Sequence, residues 1–110
     1  MLEKKNLDII IPVYNEGELI VDTINSIKNN FDYSFNLLIC YDDDLDNTLQ
    51  TINHSLLNKD NIFYIKNKFR GAHGAVMTGI EKSKSDYILV LPADDNYNTV
   101  NLQKMFDHLE

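Results

Sequence analysis

Apolar residues along this chain follow two alternating rhythms. Short, nearly continuous apolar runs occupy residues 8–13 (DIIIPV), 35–41 (FNLLICY), 61–66 (NIFYIK) and 86–91 (DYILVL). Each has the length and content of a strand, and the first reads as buried on both faces. Between them the spacing turns helical. Leu19, Ile20, Ile24 and Ile27 form a stripe within 16–30, and Leu49, Ile52 and Leu56 form a second, with Asp46 or Asn47 as its N-cap. A third helix is expected from about Ala72 to Lys84, with Ala75, Val76, Gly79 and Ile80 inward. Leu102, Met105, Phe106 and Leu109 mark a closing helix. Four strand–helix alternations with short connections predict an α/β, Rossmann-like fold with a mainly parallel sheet.

Composition narrows the options. At 110 residues, 44% hydrophobic, the chain reads as one small domain able to bury a core without covalent staples. A net charge of −7 excludes nucleic acid as a partner, since that needs a basic face. The single cysteine, Cys40, excludes an internal disulfide and reads as strand packing. No apolar run approaches the roughly 20 residues of a membrane span. The N-terminal MLEKKNLDII lacks a signal-peptide core, so the expected address is cytoplasmic.

In such a sheet, ligands sit beyond the carboxyl ends of the strands. Those ends read PVYNE (12–16), YDDDLD (41–46), KNKFRGAHG (66–74) and PADDN (92–96). Each loop has a bland reading and a chemical one. Asp42, Asp43, Asp44 and Asp46 form either a solvated helix entry or a set of acceptors for nucleobase N–H groups. Asp94 and Asp95 form either an Asp-rich turn or a pair sharing a divalent cation with a diphosphate. Lys68, Arg70, Gly71 and Gly74 make either an exposed connection or a phosphate cradle at a helix N-terminus. Glu16 serves either the helix dipole or ribose hydroxyls, and Tyr14 can lie against a base.

These four loops, in this order, resemble the nucleotide-binding half of family 2 glycosyltransferases with the GT-A fold, especially the polyprenyl-phosphate sugar transferases. The resemblance runs from IIIPVYNE through YDDDLDNT and GAHGAVMTG to YILVLPADDN. It implies that Pro12, Tyr14 and Glu16 line the base and ribose pocket and that Asp42, with Asp44 as a second candidate, meets the base. Lys68, Arg70 and Gly71 complete the expected nucleotide-sugar site. Asp94 would be the principal ligand of Mg²⁺ or Mn²⁺, assisted by Asp95 and Asn96. The implied partners are a nucleoside diphosphate sugar and a polyprenyl-phosphate or saccharide acceptor, with membrane-surface association through segments outside residues 1–110.

The chain departs from the family pattern in places. Pro92 stands where the first Asp of D-x-D belongs, His73 replaces a glycine, and D-D-D replaces D-D-G-S. No counterpart of the acceptor segment or its catalytic carboxylate is visible, so residues 1–110 read as a truncated half domain with no assigned catalytic residue. Two rival classes fit the loops less well. A receiver-like signalling module would want an acidic pair and a phosphorylatable Asp where Tyr14–Asn15–Glu16 and Lys66–Asn67 stand. A nucleotidyltransferase would open on a Gly-rich loop, which VYNEGE is not.

Overall fold

A computed structural model describes residues 6–95 and 98–108. The elements run β1 (Leu7–Pro12), α1 (Gly17–Asn30), β2 (Phe35–Tyr41), α2 (Asn47–Asn53), β3 (Ile62–Lys66), α3 (Gly71–Lys82) and β4 (Tyr87–Val90). A 3₁₀ turn (Asn98–Asn101) then leads into α4 (Leu102–Asp107). The four strands form one sheet in the order β3-β2-β1-β4, and every pairing is parallel. The alternating α/β architecture expected from the apolar pattern is therefore present. β1 lies where the direction of strand addition reverses, a topological switch point.

The sheet is dressed unequally. Ile9 and Ile11, with Leu37 and Ile39 beside them, pack against Ile20, Ile24 and Ile27 of α1, Ile52 of α2, and Leu102 and Phe106 of α4. The opposite face has a smaller cluster, in which Ile10, Leu38 and Cys40 meet Ala75 of α3. β1 is thus buried on both faces, which explains its unbroken Ile-Ile-Ile run. Burial pushes the Cys40 thiol up to about 11, so it is an inert packing group.

Some expected inward positions face outward. Leu19 and Met105 are exposed, and Leu56 is fully exposed. α2 ends at Asn53, where the Ser55 hydroxyl donates to the Ile52 carbonyl at 2.6 Å, and Leu57 takes the core place expected of Leu56. Ile80 is also exposed, while α3 buries Gly74, Ala75, Thr78 and Gly79. This helix presents its small residues because it lies close on β1: a Cβ on Gly79 would come within 2.8 Å of the Ile10 side chain. Leu109 lies outside the described residues.

Asp8 secures the far end of the sheet. Only 4% exposed, it accepts hydrogen bonds from Ser83 Oγ (2.6 Å), Ser85 Oγ (2.6 Å), Asn36 Nδ2 (3.1 Å) and the Lys84 N–H (3.3 Å). Burial opposes its ionisation, but these four donors prevail and hold its carboxyl below the usual range. A carboxyl lowered by folding adds stability that is complete above its unfolded value, about 3.9, and is lost as pH falls through the folded one. Wild-type stability is accordingly expected to drop below about pH 4. Asp8→Asn should flatten that part of the profile, as measured by urea denaturation at a series of pH values.

Candidate nucleotide-sugar site

A cleft of about 440 Å³ opens at the carboxyl end of the sheet. The end of β1 contributes Pro12, Val13, Tyr14 and Glu16, and the end of β2 contributes Asp42. The β3–α3 loop and the first turns of α3 contribute Asn67, Arg70, Gly71, Ala72 and Ala75. Six of the sequence-predicted residues (Pro12, Tyr14, Glu16, Asp42, Arg70 and Gly71) therefore line one cleft. Tyr14 is 72% exposed, leaving its ring open at the rim.

Asp42 is held from two sides. Its Oδ1 accepts from Asn67 Nδ2 at 2.8 Å and its Oδ2 from the Gly71 N–H at 3.0 Å. Partial burial disfavours the charge, but the Asn67 and Gly71 donors and the nearby Arg70 guanidinium outweigh it and lower its pKa. The Gly71 N–H, at the start of α3, is thus already turned toward Asp42. Gly71 has φ +88°, a left-handed conformation that favours glycine.

The β1–α1 loop is clasped by α2. The Asn15 N–H donates to both Asp46 oxygens at 3.1 Å, the Glu16 N–H to Thr48 Oγ1 at 2.8 Å, and the Gly17 N–H to Asn47 Oδ1 at 2.9 Å. In return the Asn47 N–H donates to Asn15 Oδ1 at 3.1 Å. Asp46 is also the N-cap of α2, accepting from the Thr48 N–H at 2.8 Å. Asn15 adopts φ 51°, which asparagine tolerates better than most residues. Tyr14 and Glu16 consequently stand on a loop braced by three consecutive residues.

The loop after β4 is fixed from α1. The Thr23 hydroxyl donates to the Ala93 carbonyl at 2.6 Å, and the Asp95 N–H closes a turn onto Pro92 at 3.1 Å. Asp94 is exposed, and its charge reaches Glu16. Burial first, and then the Asp94 and Asp46 charges, raise the Glu16 pKa against the opposing Tyr14 backbone bond. The β1 and β4 loops therefore place two carboxylates in one electrostatic neighbourhood at the switch point.

Other candidates are engaged elsewhere. Lys68 pairs with Glu81, and Asp44 pairs with Lys66 at 3.1 Å; both are solvent-exposed contacts, and none of these side chains lines the cleft. Asn96 lies outside the described residues. Among the described residues no group of three or more His, Cys, Asp or Glu side chains is arranged to hold a metal. A larger hollow, about 740 Å³, lies beside Asp8 at the opposite end of the sheet. The carboxylate there is already occupied by its four donors.

Asn67, Thr23 and Thr48 carry no signal in the sequence alone. Nothing in the composition of KNKFRG distinguishes Asn67 from its neighbours, and only the Tyr41–Asn67 backbone pairing places it beside Asp42.

A parallel sheet with its polar loops gathered at the carboxyl edge and a carboxylate at each of three strand ends defines an α/β protein of the Rossmann-like class. The chain belongs to glycosyl transferase family 2, whose profile matches residues 8–110. It is 31% identical over 110 residues to an uncharacterised glycosyltransferase of Mycoplasma genitalium, covering 96% of this chain and 37% of the relative. It is 33% identical over 99 residues to the undecaprenyl-phosphate 4-deoxy-4-formamido-L-arabinose transferase of Proteus mirabilis, covering 84% and 30%. Among solved structures it is similar to Staphylococcus aureus TarS 1–349, with TM-score 0.74, 21% identity, and coverage of 93% and 31%. It is also similar to a Pyrobaculum calidifontis mannosyltransferase in complex with GDP-Man and Mn²⁺, with TM-score 0.70, 19% identity, and coverage of 84% and 28%. These likenesses show a shared GT-A-like fold. The chain spans about a third of the length of such relatives. No helix among the described residues is long and apolar enough to cross a membrane.

Proposed function

We propose that residues 1–110 form the nucleotide-sugar-binding half of a glycosyltransferase, with acceptor recognition lying outside them. The observation that carries this reading is the convergence of Tyr14, Glu16 and Asp42 on one cleft, with the Asp94 charge reaching Glu16 from the loop after β4. Tyr14 supplies an open ring for a base, Asp42 a fixed acceptor for a base N–H, and Glu16 an acceptor for ribose hydroxyls. Arg70, on the rim, offers a cation to the diphosphate. Lys68 remains a second cation for that role once Glu81 releases it, and Asp44 a second acceptor at the β2 end.

The donor set fits a Mg²⁺ or Mn²⁺ ion. Such ions take one or two carboxylates and fill their remaining positions with substrate phosphate oxygens and water. A site of this kind needs no three-residue protein cage, and Asp94, with Asp95 and Asn96, would hold the ion. A bound divalent cation would neutralise charge on the leaving diphosphate. The relatives named above include a polyprenyl-phosphate sugar transferase and a mannosyltransferase bound to GDP-Man and Mn²⁺, which supports this chemistry. Transfer joins an acceptor oxygen to the anomeric carbon as the bond to the diphosphate breaks. An ionised polyprenyl phosphate needs little base assistance, whereas a saccharide hydroxyl needs a carboxylate base from elsewhere in the protein.

Calorimetry with UDP-glucose and GDP-mannose, with and without Mn²⁺, tests the reading. Wild type should bind at least one of them in a Mn²⁺-dependent manner. Asp94→Ala should weaken that binding by about tenfold or more, the scale of one lost charge contact. Its thermal midpoint should stay close to wild type because Asp94 is exposed. Binding that ignores Mn²⁺ would refute the metal assignment, and no binding of either sugar nucleotide would refute the function.

A further inference from the structure

We propose that Asn67 is a positioning residue, kept to hold the Asp42 carboxylate in one orientation at the cleft although this works against the stability of the fold. The functional half of this inference rests on the nucleotide-binding role given to Asp42 above. Asn67 directly follows β3, and its N–H donates to the Tyr41 carbonyl at 2.8 Å, extending the β2–β3 pairing by one residue. That pairing sets its backbone beside the residue that follows Tyr41. Its Nδ2 then donates to Asp42 Oδ1 at 2.8 Å, while the Gly71 N–H takes Oδ2.

The orientation of the amide is forced. Turning it over would set two acceptor oxygens against each other at hydrogen-bonding distance. With Nδ2 committed to Asp42, the Asn67 Oδ1 points inward, where it is buried and has no hydrogen-bond partner. A buried unpaired acceptor destabilises a fold, whereas a hydrogen bond to a largely accessible carboxylate returns little. A residue retained for stability at this place would be leucine, which has the same branched shape and no polar atoms to strand. What Asn67 supplies is direction. With one donor on each oxygen, Asp42 keeps its remaining lone pairs in a fixed plane at the cleft wall.

The test compares wild type with Asn67→Leu and Asn67→Asp. Carbon-detected NMR titration of the Asp42 carboxyl should show its pKa rising in Asn67→Leu, and rising further in Asn67→Asp, where a like charge replaces the donor. The urea midpoint of Asn67→Leu should equal or exceed that of wild type. With Mn²⁺ present, its affinity for whichever of UDP-glucose and GDP-mannose the wild type binds should fall about tenfold, the scale of one hydrogen bond to a charged group. An unchanged Asp42 titration, a leucine variant that is clearly less stable or fails to fold, or undiminished nucleotide affinity would each overturn the proposal. If wild type binds no nucleotide while the titration and the midpoint behave as stated, the proposed function falls and the positioning of Asp42 by Asn67 stands.

Discussion

Asp46→Ala is expected to lower stability by about 3 kcal/mol and to loosen the loop that carries Tyr14 and Glu16. The carboxylate is only 4% exposed and serves two elements at once. It caps α2 through the Thr48 N–H, a contact worth about 1 kcal/mol in typical N-caps. It also accepts the Asn15 N–H from a loop 31 residues earlier, and alanine would leave that donor without its partner. Hydrogen bonds to a charged group are worth roughly 1.5–3 kcal/mol, which brings the sum to the stated figure. Asp46→Asn keeps one acceptor oxygen in the same place. As Oδ1 takes both N–H groups, the asparagine variant should lose about half as much. Urea denaturation measures the stability, and amide exchange at Asn15 and Glu16 reports the loop. A loss below about 1 kcal/mol in the alanine variant would mean that the clasp holds without its central carboxylate.

Gly74→Ala should be comparably severe for a different reason. The first turn of α3 runs directly against the preceding loop, and a Cβ at Gly74 would collide with the carbonyl of Phe69. That obstacle is backbone, which no side-chain rotation can relieve. Either α3 lifts from Ile10 and Leu38, or the segment around Phe69 moves and takes Arg70 and Gly71 with it. Overpacking of this kind costs about 3 kcal/mol at the upper end of its usual range. In a domain of this size that lowers the thermal midpoint by on the order of 10 °C. Calorimetric melting gives the value, and the Gly71-to-Asp42 hydrogen bond should weaken along with it. Gly79→Ala is the milder control, because its obstacle is the Ile10 side chain rather than backbone. A Gly74→Ala midpoint within about 3 °C of wild type would show that the loop yields freely.

The strand and helix pattern was legible because β1 and β2 have no polar positions in their central runs and α1 repeats isoleucine at helical spacing. Prediction failed where size misled. In α3 Gly79 lies inward as expected, but the larger Ile80, expected beside it, lies outward, since close approach to β1 selects for small residues and hydrophobicity alone does not report it. Leu56 and Leu57 illustrate a second limit: one residue's difference in where α2 ends decides which of them reaches the core.

The candidate site divides in the same way. Tyr14, Glu16 and Asp42 stand at strand ends, and strand ends can be read from a sequence. Lys68 stands in the expected loop too, but its side chain turns to Glu81, a choice that no spacing rule makes. The residues that orient others, Asp46 in its second role, Thr23, Thr48 and Asn67, act across 25 to 70 residues of chain. Their partners are defined only once the sheet has brought them together.

The position of β1 has a consequence for the order in which the protein can assemble during synthesis. Its Ile-Ile-Ile run leaves the ribosome well ahead of one of its two neighbours, β4, which begins only at Tyr87. While the intervening chain is being made, β1 can be covered on one side by β2 but keeps a bare edge of unpaired backbone groups on the other, flanked by its Ile-Ile-Ile side chains. At typical elongation rates that interval lasts several seconds, long compared with local folding. The nascent chain therefore passes through a window in which its most apolar strand is its most exposed template, and arrival of YILV closes that window.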